Sequence, residues 1–522
     1  MNKIFKYGID HLTVAKAIAI ANGEVKGELV ADAHARVAAS YAHVQAIVKN
    51  HTTVYGINTG FGPLCDTSIS EEDTQKLQYN ILQSHSVGVG NPIPEDVARL
   101  MLITKVQALA QGYSGINPKT LERIIWHIDH NVTPLVPEKG SVGASGDLAP
   151  LSHLFLPLIG LGFVYYKGEK VPAAKALQAE GLAPIALGPK EGLALINGTQ
   201  FILAFAVKGV ERLHNALEAA DYIGALSLEG LMGTNKPFDP RLHAIRPFPG
   251  NRLVAHRLNA LLQDSQIMYS HVDCGRVQDP YSLRCMPQVH GASRTAWAHL
   301  NELTTIELNA VTDNPIIFSA EDTISGGNFH GQPMAIPLDY ATIAAAELGN
   351  ISDRRSYMMI EGRFGLPKLL MDDAGLNSGF MIPQYTTAAL VTENKTLCFP
   401  ASADSVPTSL GQEDHVSMGS ISGRKLNQVI GNLEYILAIE LLYAAQAVDF
   451  RRPLKTTPVL EALHNYTREK VAFADKDRIF AYDIEALHAI IADQSFVRVG
   501  NEAAASFGVN LNGIFDEQFK LS

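Results

Sequence analysis

Three consecutive residues, Ala144-Ser145-Gly146, can make a carbon electrophile out of backbone alone. The amide nitrogen of Gly146 attacks the carbonyl carbon of Ala144 and water leaves. Ser145 then loses its hydroxyl as a second water. The product is a five-membered ring bearing an exocyclic methylidene. Glycine suits the attacking position because it has no Cβ to block the tight turn. Ordinary side chains supply nucleophiles, acids and bases but no carbon electrophile, so such a ring opens chemistry they cannot do. Read alone, the Gly/Ser-rich stretch ahead of the apolar run 154–161 is a loop entering a helix or strand. Two commoner motifs fail here. A nucleophile elbow needs Gly-x-Ser-x-Gly, and the position after Gly146 is Asp147. A phosphate loop needs Gly-Lys-Ser/Thr, and no lysine is present.

The flanks change the reading. Residues 140–153, GSVGASGDLAPLSH, resemble the signature of the aromatic amino acid ammonia-lyase family, whose cofactor is this self-made ring, 4-methylidene-imidazol-5-one (MIO). Residues 55–62 (YGINTGFG) resemble that family's mobile inner loop, 191–200 (EGLALINGTQ) its asparagine segment, and 278–284 (QDPYSLR) its tyrosine-arginine segment. Residues 326–330 (GGNFH), 377–380 (NSGF) and 412–418 (QEDHVSM) also match. These segments fall in the family's order from residue 55 to residue 418.

An α-amino acid resists loss of ammonia because the amine is a poor leaving group and the β-hydrogen is barely acidic. An electrophile that captures the amine addresses the first difficulty, and a well-placed base the second. The resemblance implies that Ala144, Ser145 and Gly146 form the prosthetic group, and that Asn197 hydrogen-bonds beside it. It implies that helix N-termini converge on the ring, where their dipoles favour negative charge. Tyr55 is implied as the base for the β-proton, on a lid made mobile by Gly56, Gly60 and Gly62. A phenol of pKa ~10 needs nearby positive dipoles to serve at neutral pH. Arg284 is implied as a bidentate clamp for the substrate carboxylate. Tyr281, three residues earlier, shares its face if the stretch is helical. Gln278 and Phe329 match pocket-lining positions, with Asn314 a weaker candidate. His330 and His415 sit beside Glu413 and Asp414, but no metal-ligand spacing supports them, and structural histidines are the expected reading. Neither a metal nor a nucleotide is expected.

The ring end of the pocket selects the substrate. The pair matching Ser84-His85 faces the substrate side chain in this family, and a polar pair argues against a bare phenyl ring. Glu413 discriminates further, because a carboxylate accepts a proton from an imidazole N–H and gains little from phenyl. Residues 237–240 and 377–381 also look most like the histidine branch. The resemblance therefore implies non-oxidative elimination of ammonia from L-histidine to give trans-urocanate. Tyrosine elimination to trans-p-coumarate, a lyase acting on a histidine betaine, and an MIO aminomutase stay open as alternatives. A helical scaffold protein would explain the long helices but not Tyr55, Ser145 and Arg284 together, and the GSSxMPxKxN loop of fumarase-like lyases is absent.

These residues must be positioned by a large, mostly helical chain. The 522 residues are 47% hydrophobic and 18% charged, ample for an extensive core. The net charge of −11 is dispersed, with no basic run for nucleic acid. Cys65, Cys274, Cys285 and Cys398 show no CxxC spacing, which fits the reducing cytoplasm. Neither a signal peptide nor a membrane span is expected. Helical spacing covers 10–50, 69–86, 95–113 and 118–129, with Pro118 in a first-turn position. An irregular stretch follows at 130–150, and a hairpin at 163–171 turning near Gly168. Longer helices are expected at 198–232, 252–268, 287–312, 336–362, 382–396, 419–448 and 477–494. The expected fold is mainly α. A smaller mixed N-terminal domain, residues 1–200, carries the MIO loop, and residues 201–522 form a long central helical bundle with C-terminal helices. The resemblance adds central parallel helices and a homotetramer whose active sites draw on three subunits. Exposed apolar stripes on such helices argue against a monomer.

Overall fold

Runs rich in Ala, Leu, Ile and Glu, free of internal glycine clusters, wind into long helices wherever an apolar stripe can be buried. In the computed structural model, which describes residues 3–50, 53–54, 56–60, 71–515 and 518–522, the longest are Gln200–Gly230, Met286–Leu308, Gln332–Ile360 and Gly419–Asp449. Gly419–Asp449 packs along both Gln332–Ile360 and Gln200–Gly230, and Met286–Leu308 closes the bundle. At 1.5 Å per residue the 31-residue helices are about 46 Å long. Gln200–Gly230 is buried on nearly every face, as a central helix must be. The described residues hold twenty α-helices and only small two- or three-stranded sheets, so the fold is mainly α. One hydrophobic cluster runs from Phe5 to Phe519.

The expected helices from 198 to 494 appear with boundaries shifted by a few residues, except that 252–268 is two, Pro249–Leu262 and Gln266–Tyr269. Pro118 begins Pro118–Asp129, where the Asn117 side chain caps the Lys119 amide at 3.0 Å. The hairpin pairs Phe163–Tyr166 with Glu169–Pro172. The expectation of continuous helix over 10–50 needs correction. Val14–Ala21 ends at Asn22, and Val25–Glu28 is a strand parallel to Lys3–Lys6, before Ala31–Lys49 resumes the helix. A short strand between alanine-rich segments has too little alternation to be seen by pattern alone. The loop at 140–147 does enter a helix, Leu148–Phe155, whereas short helices at Ala173–Ala179 and Glu191–Ile196 escaped the periodicity, as did Pro458–Lys470 and Ser495–Ser506. Among the described residues no helix is long and apolar enough to cross a membrane.

Candidate active site

Four helices begin around the Ala144-Ser145-Gly146 loop. Leu148–Phe155 follows it directly. Gln200–Gly230 begins beside Gly198, which forms a parallel bridge with Gly146. Gly419–Asp449 begins after Met418, whose amide donates to Val142 O at 3.0 Å, and Ser420 Oγ donates to Ser141 O at 2.8 Å. Gln332–Ile360 begins after Gly331, packed on Ser417, which in turn covers Gly143. The unsatisfied amides of four helix starts make this region electropositive. Asp147 answers part of that field. It does not cap its own helix. Its Oδ2 accepts the amides of Phe201 and Ile202 at 3.1 and 3.0 Å, and Oδ1 accepts Ser141 Oγ at 2.9 Å. Burial pushes the Asp147 carboxyl up to about 7 in spite of those hydrogen bonds.

Backbone geometry at the triad demands glycine. Gly146 has φ +78°, and a Cβ there would lie 2.1 Å from Gly198 O. Gly198 returns two hydrogen bonds, its amide to Ser145 O at 3.3 Å and its carbonyl from Asp147 N at 2.8 Å. Ser145 Oγ donates to Glu413 Oε1 at 3.0 Å. The other carboxylate oxygen of Glu413 accepts Thr408 Oγ1 at 3.0 Å and Ser409 Oγ at 2.7 Å. Ser84 Oγ lies 3.0 Å from His85 Nδ1, at the end of helix Glu71–His85. Burial lowers the His85 pKa, opposed by a hydrogen bond to Ile81 and by the Glu413 charge, so His85 and Glu413 sense each other. Phe329 stands in the loop whose neighbours Asn328 and His330 bond to Val311 O and His415 O. His330 and His415 stack at 5.8 Å, and among the described residues no group of three or more His, Cys, Asp or Glu could hold a metal ion.

Asn197 is 2% exposed and fixed from several sides. Its Nδ2 donates to Asp313 Oδ1 at 3.2 Å and to Asn314 O at 2.8 Å, which brings Asn314 to the site. Lys190 pairs with Asp313 at 2.8 Å, and Lys105 Nζ donates to Asn197 O. Burial pulls the Lys105 ammonium down to about 7; the Asp313 and Asp147 carboxylates oppose that fall and Lys190 reinforces it. Sequence reasoning missed Lys105, Lys190 and Asp313. The available signal was a lysine inside the apolar run of helix Glu95–Leu109, where buried lysines are rare unless something holds them. Tyr55, Phe61 and Gly62 lie outside the described residues. Gly56 rests against Leu193, four residues before Asn197.

Residues 12–469 match the family described as aromatic amino acid lyase. Histidine ammonia-lyase of Myxococcus xanthus (strain DK1622) is 46% identical over 498 residues, covering 95% of this chain and 98% of its own. The chain belongs to the aromatic amino acid lyase family. The crystal structure of histidine ammonia-lyase from Trypanosoma cruzi superposes with TM-score 0.90 at 40% identity, covering 100% of this chain and 98% of that one. Tyrosine aminomutase from Streptomyces globisporus superposes with TM-score 0.90 at 35% identity, over 97% and 98%.

Within one copy of this aromatic amino acid lyase, Gln278, Tyr281 and Arg284 do not join the others. Tyr281–Arg284 forms a helical turn with the Arg284 guanidinium 4.5 Å from the Tyr281 ring centre. Tyr281 shares a cavity of about 390 Å³ with Asn350, Ile351 and Arg354. Those residues lie some 19 positions along the helix that starts at Gln332, about 28 Å from its triad end. Gln278 lines a separate cavity of about 530 Å³ with Arg276 and Asp279. Arg284 Nε is buried without a hydrogen-bond partner among the described residues.

Proposed function

We infer that the chain eliminates ammonia from L-histidine without oxidation, releasing trans-urocanate, as a carbon-nitrogen lyase that uses MIO. The observation that carries this reading is Glu413, held by Thr408 and Ser409 beside Ser145 and within electrostatic reach of His85. A carboxylate beside an imidazole-sized partner suits a histidine ring and gives nothing to a phenyl. The 46% identical relative named for the histidine reaction supports the same choice.

Ala144, Ser145 and Gly146 fit the MIO group, because the turn leaves no room for a Cβ at Gly146 and the surrounding helix starts favour charge on Ser145 O. When formed, the group supplies the electrophilic carbon that captures an amine. The rest falls to the chain's side chains. Arg284 holds the substrate carboxylate, and its orphaned Nε is a donor in want of an acceptor. Tyr55 takes the β-proton, Tyr281 and Asn197 orient the reacting groups, and Ser84, His85, Gln278, Phe329 and Glu413 shape the ring end. Because Arg284 and Ser145 stand so far apart in one copy, the complete site draws on several copies, in a homotetramer. The exposed side chains Ile336, Tyr340 and Ile343 along one face of helix Gln332–Ile360 supply a surface for that association. On this reading residues 1–200 carry the electrophile, residues 201–522 order it, and the enzyme works in the cytoplasm.

The test is product identity. Purified protein offered L-histidine or L-tyrosine should release urocanate much faster than coumarate. Glu413→Gln should depress histidine turnover by orders of magnitude while leaving any trace of tyrosine turnover unchanged or raised. Faster coumarate release by the wild type transfers the assignment to tyrosine, and accumulation of a β-amino acid transfers it to an aminomutase.

A further inference from the structure

The peptide group joining Asn197 to Gly198 is held at both ends. Its N–H donates to Ser145 O at 3.3 Å, and its carbonyl oxygen accepts Lys105 Nζ. We propose that Lys105 is a positioning residue for the elimination: by bonding to Asn197 O it fixes and polarises this peptide, strengthening the Gly198 N–H as a donor to the Ser145 carbonyl oxygen. The inference rests on reading the triad as an electrophile. The two dehydrations remove the Ala144 oxygen and the Ser145 hydroxyl, so Ser145 O is the oxygen the ring keeps. Negative charge would collect there on capture of an amine.

The physics is that of hydrogen bonds in series. A donor on a carbonyl oxygen, most strongly one that carries a full charge, draws electron density through the amide and leaves its N–H more positive. A donor already aimed at the atom where charge develops is worth most in a dry site, because nothing reorganises when the charge arrives. The site is dry: Lys105 is 2% exposed, Asn197 2% and Gln200 1%. The direction is fixed too. Gly198 has φ +114°, and a Cβ there would stand 2.6 Å from Gln200 Oε1, so only glycine lets the peptide face both ways. Gln200 Oε1 is a second acceptor for Lys105 at 3.5 Å, and Gln200 Nε2 is anchored on Thr312.

A buried lysine that merely fills space would be expected to meet a carboxylate. Among the described residues none lies within ion-pair distance of Lys105; Asp313 is taken by Lys190, and Asp147 by the amides of Phe201 and Ile202. The ammonium is spent on a carbonyl whose own amide reaches the triad. That arrangement costs burial of a charge, and the return is a field directed at Ser145 O.

The experiment compares Lys105→Met, which keeps length without charge or donor, with Lys105→Arg and the wild type, in the assembled enzyme. Peptide mass across residues 142–148 gives the fraction of chains that have lost two waters, and all rates are expressed per such chain. Lys105→Met is expected to keep KM for histidine within about threefold while kcat falls about ten- to a hundredfold, less than for loss of a direct donor. Cyanide should add to its electrophile correspondingly more slowly, and Lys105→Arg should recover part of both rates. If Lys105→Met does not fold, Lys105→Gln replaces it, with both rates below wild type. Wild-type kcat and wild-type cyanide trapping in the neutral variant overturn the proposal, as does a loss confined to thermal stability or to KM. A wild-type peptide of unreduced mass instead overturns the electrophile reading itself.

Discussion

In the middle of the bundle, Glu218 and Asp221 meet Arg257 and Arg294; at the triad end, Lys105 and Asp147 meet backbone. Asp221 accepts Arg257 Nε at 2.8 Å, Arg294 Nη2 at 2.5 Å and His290 Nδ1 at 2.9 Å, and Glu218 faces the same two arginines at 2.8 Å. Each carboxylate there is answered by a guanidinium, and burial, which alone would raise Glu218, is outweighed until its carboxyl sits at about 2. Asp147 has amides and a hydroxyl in place of a cation, and burial carries it up to about 7. Charges neutralised by partners hold helices together. Both sets are strongly shifted, so the direction separates them: guanidinium partners hold Glu218 and Asp221 down, while Asp147, answered by dipoles alone, is pushed up and keeps a field that can act on a neighbour.

The sharpest break between the two regions is expected from Ser145→Ala. Nearly all turnover should disappear while the unfolding free energy stays within about 1 kcal/mol of wild type, since one small loop side chain contributes little to packing. Substantial residual turnover would take the chemistry away from the triad. Asp221→Asn should do the opposite. Leaving Arg257 and Arg294 short of a partner should cost about 3–5 kcal/mol in denaturant unfolding, with kcat per folded enzyme close to wild type. The same network sets the acid limb of stability. Asp221 and Glu218 are held below their unfolded values, so their contribution is complete above about pH 4.5 and is lost as pH falls through the folded values, about 2 for Glu218 and lower still for Asp221. Asp221→Asn should flatten stability across that window, and an unchanged acid limb would place the titration elsewhere. The smallest effect belongs to Arg284→Lys, which keeps the charge and loses the fork. Affinity for histidine should weaken by about 1–3 kcal/mol, read as a rise in KM larger than the fall in kcat; the reverse split would move Arg284 from binding to chemistry.

The same contrast explains what could be read from the chain itself. Ser145, Glu413 and Asn197 were legible because they sit in short segments whose residue types are unusual together. The long helices were legible because a 3.6-residue stripe repeats over many turns, as in Gly419–Asp449. Lys105, Lys190 and Asp313 were not, because their meaning lies in a meeting of segments more than 80 positions apart, with Asn197 between them. Arg284 was named from its motif, yet its separation from Ser145 within one copy depends on the length and direction of helix Gln332–Ile360. The Val25–Glu28 strand was invisible because its parallel partner Lys3–Lys6 lies across an intervening helix.

The most direct test of the claim that the triad end carries the reaction is the mass of the peptide spanning residues 142–148 from the mature wild-type protein. That mass is expected to be lower than the sequence requires by two waters, whereas Ser145→Ala should show the full mass of its own sequence. An unmodified wild-type peptide in active enzyme would contradict that claim, because ordinary side chains supply no carbon electrophile.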